Sequence, residues 1–330
     1  MSSIPVRLGV QQRVLPAYRA PFFESLAAAC PRGLGVFAGS PRPQEFIGGQ
    51  GVLDVAQFTP ARNVHLLSGR WYLCWQAGLL RWLENWQPEV LVVEANPRYL
   101  RTGAAVRWMR ARQRPVIGWG LGAPTGNGGL EALRNGARRR FLRQFDALIT
   151  YSQKGAQEYR QAGFAAERIF VAPNAVAPRP VWPAPARPPG YSAGRPTVLF
   201  VGRLQARKRV DFLLRACATL PPDVQPALWV VGDGPERPAL EVLARQVYPA
   251  TQFFGNRQGA ELEPFFTAAD LFVLPGTGGL AIQQAMAYGL PVIAAEADGT
   301  QEDLVRLENG WQVAPGRLDA LQMALQQALA

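Results

Sequence analysis

The sequence predicts an α/β protein made of two doubly wound domains, each with a mostly parallel sheet covered by helices. Short apolar segments alternate with amphipathic segments along all 330 residues. The apolar segments are continuous runs, which is typical of strands buried on both faces of a parallel sheet. A proline-rich stretch interrupts the alternation near the middle, and a chain of this length holds two domains of ordinary size.

The predicted strands are short runs rich in valine, isoleucine and leucine. Examples, in chain order, are Val6–Val10, Val90–Val93, Pro115–Trp119, Ala147–Tyr151, Ile169–Ala172, Val198–Val201, Ala227–Val231, Leu271–Leu274 and Val292–Ala294. The clearest helical stretches between them are Leu204–Leu220, Pro235–Val247 and Gly279–Tyr288. Strands that alternate with helices in this way favour a doubly wound α/β architecture.

A proline-rich segment separates the two predicted domains. Residues Ala177–Pro196 contain seven prolines, which remove backbone donors and fix φ, so the segment cannot form a helix or a central strand. We therefore predict an N-terminal Rossmann-like domain over residues 1–177, a semi-rigid linker over 178–195 and a C-terminal Rossmann-like domain over 196–330.

The composition favours a packed protein with anionic partners. Apolar residues make up 48% of the chain, and 35 Lys and Arg against 24 Asp and Glu give a formal net charge of +11. This charge suits nucleotides, anionic lipid headgroups or nucleic acid, and equally a solvated arginine-rich surface. The chain has no run of 18 apolar residues and no secretory-signal pattern, which predicts a cytoplasmic protein. The three cysteines and the single histidine are scattered, so no metal is expected.

The strongest chemical signal lies in the C-terminal half, where two turns follow predicted strands. Gly202 ends one strand, and Arg203 and Lys208 follow it at the carboxyl end of the sheet, where open α/β folds bind ligands. Two cations there suit a diphosphate, although a solvated helix start has the same composition. The second turn, Gly276–Gly279, opens a helix, and backbone N–H groups at a helix N-terminus bind anions.

Four stretches of the chain resemble the family-4 retaining glycosyltransferases of the GT-B fold. They occur in the family's order, and they are Asp146–Val176, Val198–Asp211, Trp229–Glu236 and Phe253–Ala294. The segment Tyr18–Ala27 also resembles the start of some members. The resemblance implies two Rossmann-like domains facing each other across a cleft. It also implies metal-independent transfer of a sugar from a nucleotide-sugar to a glycan or lipid-linked acceptor, in the synthesis of cell-surface polysaccharide or glycoconjugates.

The resemblance assigns roles to residues of three turns in the C-terminal half. The implied donor-binding set is Gly202, Arg203, Lys208, Asn256, Arg257, Gly276, Thr277, Gly278, Gly279, Leu280 and Gln284. Within this set the cationic pair holds the diphosphate, the glycine-turn amides contact the distal phosphate, and the turn at 256–257 lines the base pocket. The implied catalytic groups, which stabilise the leaving diphosphate, are Arg203, Lys208, Gly278 and Gly279.

The chain departs from the family's pattern at three positions. Gly276 and Gln284 stand where the family usually has two glutamates, the first contacting the transferred sugar and the second the ribose hydroxyls. Leu121 stands where many members have a histidine. Gln284 keeps an acceptor for the ribose, whereas Gly276 leaves a gap that loop amides or a water can fill. These departures motivate the main alternative, a non-catalytic GT-B scaffold that binds carbohydrate or nucleotide.

Acceptor-binding residues are predicted on the N-terminal domain, at the carboxyl ends of its strands. The predicted set is Gln12, Arg13, Tyr18, Arg19, Arg98, Trp119 and Gly122. Arg19 or Arg98 can hold an anionic group of the acceptor, and each can equally form a structural or surface ion pair.

Four tryptophans at spacings of 4, 7 and 4 predict one face of a helix: Trp71, Trp75, Trp82 and Trp86. Such a face packs against the sheet or lies at a membrane interface. Together with the arginines of residues 134–143, it raises peripheral contact with an anionic inner leaflet as a further hypothesis. A nucleic-acid-binding protein and a nucleotide-sugar epimerase fit less well, because the chain has no nucleic-acid motif and no histidine near the predicted site.

Overall fold

The computed structural model describes residues 3–42, 45, 51–123, 129–175 and 195–329. Contacts divide the chain into two compact units that separate between Ala175 and Val176. Each unit is an α/β domain built on one parallel or mainly parallel sheet, which confirms the predicted fold class. The predicted linker, residues 178–195, lies outside the described residues except for Arg195, so its boundaries stay a prediction.

The N-terminal domain has an eight-stranded sheet of order β4-β3-β2-β1-β5-β6-β7-β8, in which only the β3–β4 pair is antiparallel. Its strands are β1 (Leu8–Val14), β2 (Leu34–Gly39), β3 (Gln57–Leu66), β4 (Leu73–Ala77), β5 (Val90–Glu94), β6 (Val116–Gly120), β7 (Ala147–Thr150) and β8 (Ile169–Val171). Its helices are α1 (Ala20–Ala28), α2 (Leu79–Trp86), α3 (Thr102–Arg110), α4 (Gly129–Leu142) and α5 (Gln153–Gln161).

The central strands of this sheet are buried on both faces, as their continuous apolar runs predict. In β5, Leu91 and Val93 belong to one buried cluster, whereas Val92 between them belongs to another. Successive side chains of a strand point to opposite faces, so each face requires its own apolar residues. The two clusters therefore form the two layers between sheet and helices.

The C-terminal domain has a six-stranded, all-parallel sheet of order β11-β10-β9-β12-β13-β14. Its strands are β9 (Thr197–Val201), β10 (Ala227–Val231), β11 (Thr251–Gly255), β12 (Leu271–Leu274), β13 (Val292–Ala295) and β14 (Gly310–Val313). Its helices are α6 (Val210–Ala218), α7 (Arg237–Val247), α8 (Glu263–Ala268), α9 (Leu280–Ala287), α10 (Thr300–Leu304) and α11 (Leu318–Leu329). The strand order reverses between β9 and β12, which makes the crevice at their carboxyl ends the topological switch point.

The tryptophan helix predicted over residues 71–86 is wrong. Trp71 ends a 3-10 turn and Trp75 lies in β4, and the helix begins only at Leu79, after Gly78 with a φ of 85°. Residues 73–77 alternate in burial as a strand does, and the antiparallel pairing with β3 overrides the helical spacing of the tryptophans. Trp82 and Trp86 do pack in the domain, while Trp71 and Trp75 are 63% and 39% exposed.

Candidate functional site

The two turns predicted to bind the donor meet at the switch point of the C-terminal sheet. The turn after β9 runs from Gly202 through a short 3-10 helix, Ala206–Lys208, and reaches α6 through Arg209, whose φ is 54°. The turn after β12 leads into α9, whose N-cap is Gly279. Because β9 and β12 are neighbours in the sheet, the two turns lie side by side.

The side chain of Lys208 lies directly against the glycine-rich turn. Its residue is only 9% exposed, and a Cβ built on Gly278 would lie 2.3 Å from Lys208 Nζ. Burial, and to a smaller extent the neighbouring Arg207, lower the pKa of the Lys208 ammonium to about 8, although Asp298 opposes the shift. A partly desolvated cation at a bare backbone turn is an arrangement that an anion stabilises.

Gly276 is held in place by the turn that precedes α6. A Cβ on Gly276 would lie 2.2 Å from the Arg207 carbonyl oxygen and 2.6 Å from the Lys208 carbonyl carbon. The next residue, Thr277, donates its N–H to the same Arg207 oxygen at 3.0 Å and accepts from Arg207 Nη1 at 2.8 Å. The gap expected beside Gly276 is therefore wrong: backbone of the turn before α6 fills this space, and no side chain fits at position 276 without a backbone shift.

A buried glutamine from α10 supports the glycine turn. With its amide oriented to satisfy both atoms, the oxygen of Gln301 accepts from the Gly278 N–H at 2.8 Å, and its nitrogen donates to Asp298 Oδ1 at 3.0 Å. The same carboxylate oxygen accepts from the N–H of Thr300 at 3.1 Å and from its hydroxyl at 2.6 Å. The Gly278 amide is thus already paired within the protein, and Gly279 packs 3.1 Å, measured from an added Cβ, from Thr300 Cγ2.

The remaining predicted donor residues lie at the same edge of the sheet. Arg203 follows Gly202 and is half-buried, with its Nε enclosed by protein. Gln284 is half-buried in α9. Asn256 and Arg257 are exposed after β11, two strands away from β9, and the guanidinium of Arg257 lies 3.8 Å from the Glu261 carboxylate. The structure shows where these residues lie, whereas their roles in donor binding stay predictions.

In the N-terminal domain, three predicted acceptor residues come together: Gln12 and Trp119 both contact Arg19. The buried guanidinium donates to Gln12 Oε1 at 2.5 Å and lies 4.7 Å from the ring centroid of Trp119. It also donates to the hydroxyl of Tyr151 at 3.1 Å. This Arg19 cluster lies at the carboxyl ends of β1, β6 and β7.

A buried carboxylate lies at the end of β5 in the same sheet. Burial raises the pKa of Glu94, while Arg13 and Arg19 oppose the shift. Its Oε2 is buried and has no hydrogen-bond partner among the described residues. Such a group is a candidate for contact with a hydroxyl or a cation of a ligand.

The other predicted acceptor residues do not join the Arg19 cluster. Arg13 forms an ion pair with Glu45 at 2.8 Å. Tyr18 is 37% exposed and Arg98 is exposed. Gly122 packs tightly on α5, because a Cβ there would lie 2.3 Å from Glu158 Oε2. That contact gives Gly122 a structural reason to be glycine.

Sequence reasoning missed four residues that the structure brings to these places: Arg207, Asp298, Gln301 and Tyr151. Tyr151 ends a predicted strand, and Asp298 and Gln301 follow β13, so the carboxyl-end rule used for their neighbours also applied to them. Arg207 lies between Arg203 and Lys208, which were both predicted as site residues, but it was not itself predicted. Tertiary packing decides which of these side chains turn toward the glycine turn and that Tyr151 turns toward Arg19.

The fold and the paired turns define this chain as a two-domain protein of the GT-B class. The chain belongs to the family-4-like glycosyl transferases: residues 7–175 match the family model described as "Glycosyl transferase 4-like domain". Residues 195–330 match a second model, described as "Glycosyl transferases group 1". The resemblance noted from the sequence motifs is thereby confirmed.

Similar proteins include a GDP-mannose-dependent alpha-mannosyltransferase of Mycolicibacterium smegmatis, 41% identical over 112 residues, which are 33% of this chain and 28% of that protein. Matches to the first curated relatives span only 22% to 41% of their own lengths. Two solved structures share the fold over nearly the whole chain. One is the lipopolysaccharide outer core galactosyltransferase WaaB, with a TM-score of 0.68, 15% identity and coverage of 98% of this chain and 90% of that one. The other is Anabaena HepE in complex with UDP, with a TM-score of 0.66, 18% identity and coverage of 99% and 89%.

Within the described ranges, no helix is both long enough and apolar enough to cross a membrane.

Proposed function

We propose that this protein is a glycosyltransferase that moves a sugar from a nucleotide-sugar to a glycan or lipid-linked acceptor, in the synthesis of cell-surface polysaccharide or glycoconjugates. The observation that carries the proposal is the packing of the Lys208 ammonium against the backbone of Gly278 at the switch point. A buried cation beside a glycine turn and a helix N-terminus is suited to the diphosphate of the donor. Family membership supports the same activity.

Departure of the nucleoside diphosphate places new negative charge on the distal phosphate. Lys208 and Arg203 stabilise that charge, and because Lys208 is largely desolvated its interaction is stronger than it would be in water. With the Gly278 N–H paired to Gln301, the amides of Gly279 and Leu280 are the turn groups that approach the phosphate. Stabilisation that grows as the bond breaks lowers the barrier.

The finer features of the reaction are part of the proposal. Transfer retains the anomeric configuration by a front-face route that needs no protein nucleophile, and the fixed cations take the place of a divalent metal. Gln284 binds the ribose, and the turn at Asn256 lines the base pocket. The acceptor binds to the N-terminal domain at the Arg19 cluster. The similar proteins, one a GDP-mannose-dependent mannosyltransferase and one solved in complex with UDP, support a nucleotide-sugar donor without choosing its base.

The test is nucleotide-dependent thermal stabilisation of the full chain. We expect UDP or GDP to raise the Tm of the wild type, and Lys208→Ala and Arg203→Ala each to abolish that rise. The chain has one other lysine, Lys154, which is exposed on α5 in the other domain, so Lys154→Ala is a matched control. Equal stabilisation of the wild type and of both site variants would place the nucleotide elsewhere.

A non-catalytic scaffold is the second candidate, and the occupied space at Gly276 favours it. A scaffold binds the nucleotide as the enzyme does, so binding does not separate the two. Donor turnover does: release of nucleoside diphosphate from UDP- and GDP-sugars, abolished by Lys208→Ala, supports the enzyme. Tight binding with no release across donors and acceptors supports the scaffold.

We further propose that the protein acts at the cytoplasmic face of a membrane by peripheral contact. Leu67 and Trp71, at the tip between β3 and β4, are 68% and 63% exposed, and the chain carries a net charge of +11. Exposed aromatic and aliphatic side chains together with positive charge favour anionic interfaces. Flotation with anionic vesicles tests it: recovery of the protein in the vesicle fraction, reduced by Trp71→Ser, is expected. Protein that stays wholly in solution contradicts it.

A further inference from the structure

A cavity lined by arginine, histidine and asparagine among apolar residues lies in the N-terminal domain, at the carboxyl end of β2 and beside β3. It has a volume of about 550 Å³. Its lining is Ser40, Pro41, Arg42, Pro60, Ala61, Arg62, Asn63 and His65. None of these residues belongs to the donor site or to the Arg19 cluster.

Positive charge dominates this cavity. Arg42 and Arg62 line it, and Arg13 lies near enough to affect the charge of His65. Among the described residues, the Glu45 carboxylate pairs with two of these guanidinium groups, with Arg13 at 2.8 Å and with Arg42 at 3.0 Å. The described lining residues of the cavity include two guanidinium groups and no carboxylate, so the lining carries a net positive charge that a bound anion neutralises.

The walls of the cavity are fixed by hydrogen bonds and ring contacts. Asn63 donates to the carbonyl oxygens of Arg13 and Ser40 at 2.7 and 3.0 Å. The guanidinium of Arg42 lies 4.4 Å from the ring centroid of Tyr72, whose hydroxyl is 2.9 Å from His65 Nδ1. Groups held in this way lose little freedom when a ligand binds, which favours affinity.

We propose that this cavity binds an oxyanion, the phosphate or carboxylate group of the acceptor. Planar guanidinium groups bind both kinds of oxyanion through paired N–H donors. The cavity opens at the carboxyl edge of the sheet, the same edge as the Arg19 cluster, so one acceptor can reach both. This inference rests on the proposed function for the identity of the acceptor, whereas the anion site itself does not depend on catalysis.

The only histidine of the chain reports on this cavity, so its ring signals in an NMR spectrum need no assignment. Burial lowers the pKa of His65, Arg13 and Arg42 lower it further, and Glu45 opposes them. Sulfate stays a dianion across the titration range, so it serves as the phosphate-like probe, and acetate serves as the carboxylate probe. Chloride at equal ionic strength corrects for screening.

In the wild type we expect sulfate to raise the His65 pKa saturably, beyond the effect of chloride. Arg62→Gln should weaken the apparent sulfate affinity about fivefold, because Arg62 is exposed and its loss removes one charged donor. Arg81→Gln, an exposed arginine on α2, is the matched control and should leave the affinity unchanged. A stronger response to sulfate than to acetate identifies a phosphate-type group, and the reverse identifies a carboxylate.

A His65 pKa that follows ionic strength alone, equally for sulfate, acetate and chloride, would overturn the proposal. A saturable response that Arg62→Gln leaves intact would overturn it too. Either result leaves the glycosyltransferase proposal standing, because nucleotide binding at Lys208 is measured separately. Conversely, a saturable sulfate response in a protein that binds no nucleotide would preserve the anion site and remove only its assignment to the acceptor.

Discussion

At the scale of single residues, Lys208 makes the donor site sensitive to pH. Because its folded pKa, about 8, is below the unfolded value, the unfolded chain binds the proton more tightly. The contribution of Lys208 to stability therefore rises with pH between about 8 and the unfolded value, and burial of its charge is unfavourable below that window. A bound diphosphate reverses this effect by pairing with the ammonium.

We expect nucleoside diphosphate binding to take up close to one proton at about pH 9, and almost none at about pH 7, where Lys208 is already charged. Calorimetric titrations in buffers of different ionisation enthalpy measure this uptake. Lys208→Met removes the group, and any remaining binding should be independent of buffer. Uptake that is the same at both pH values would contradict the assignment.

Gly276 provides the second prediction at this scale. Gly276→Ala should lower the free energy of unfolding by about 2 kcal/mol, because the new Cβ meets backbone atoms of Arg207 and Lys208 that cannot move independently. Urea unfolding measures the change. Gly136→Ala is the control: a Cβ at Gly136 meets no atom within 4 Å in the exposed part of α4, so stability should rise by about 0.5–1 kcal/mol. A Gly276→Ala variant as stable as the wild type would show that the turn can adjust.

At the scale of elements, α10 supports the turn that opens α9. Gln301 is fully buried and connects the Gly278 N–H to Asp298. Gln301→Leu keeps a side chain of similar volume but leaves the Gly278 N–H and Asp298 without this partner. An unpaired buried group of this kind lowers the free energy of unfolding by about 1–3 kcal/mol. We expect a lower Tm and a smaller nucleotide-induced shift in Tm, since the glycine turn loses its support. The control is Gln312→Leu. Gln312 donates from its side chain to the backbone oxygens of Glu302, in α10, and of Val305, just after it, and its loss should lower Tm without changing the nucleotide-induced shift.

The sequence pattern is clearest for strands that are apolar on both faces. Central strands such as β5 and β9 were predicted because both of their faces are apolar. The strands β3, which lies next to the edge strand β4, and β11, which is an edge strand, are less clear in the sequence, because their partly exposed side chains lack a continuous apolar run. The Trp71–Trp86 spacing was interpreted as a helix since spacing alone cannot register the turn at Gly78.

At the scale of the whole molecule, each domain has buried clusters of its own. The cluster of the C-terminal domain contains only residues from Val198 onward, and α11 packs on α6 within that domain, with Gln322 Nε2 donating to Thr219 Oγ1 at 2.6 Å. We therefore expect residues 195–330, expressed alone, to fold cooperatively and to keep the Lys208-dependent stabilisation by nucleotide. Circular dichroism during thermal unfolding measures both. A fragment without a cooperative transition would show that its core needs the rest of the chain.

The sequence by itself determined the fold class and the family. Continuous apolar strands, the proline-rich break and the order of the glycine and cation motifs are local features, and they require no knowledge of distant contacts. The sequence also predicted Lys208 and the glycine turn as parts of the donor site, because both follow buried strands. Tertiary structure alone decided that backbone from the turn before α6 fills the space at Gly276 and that Gln301 pairs with the Gly278 amide. It also placed Arg42, Arg62 and His65 around one cavity. These contacts join residues far apart in the chain, and their distances follow from how strands and helices pack rather than from any local pattern.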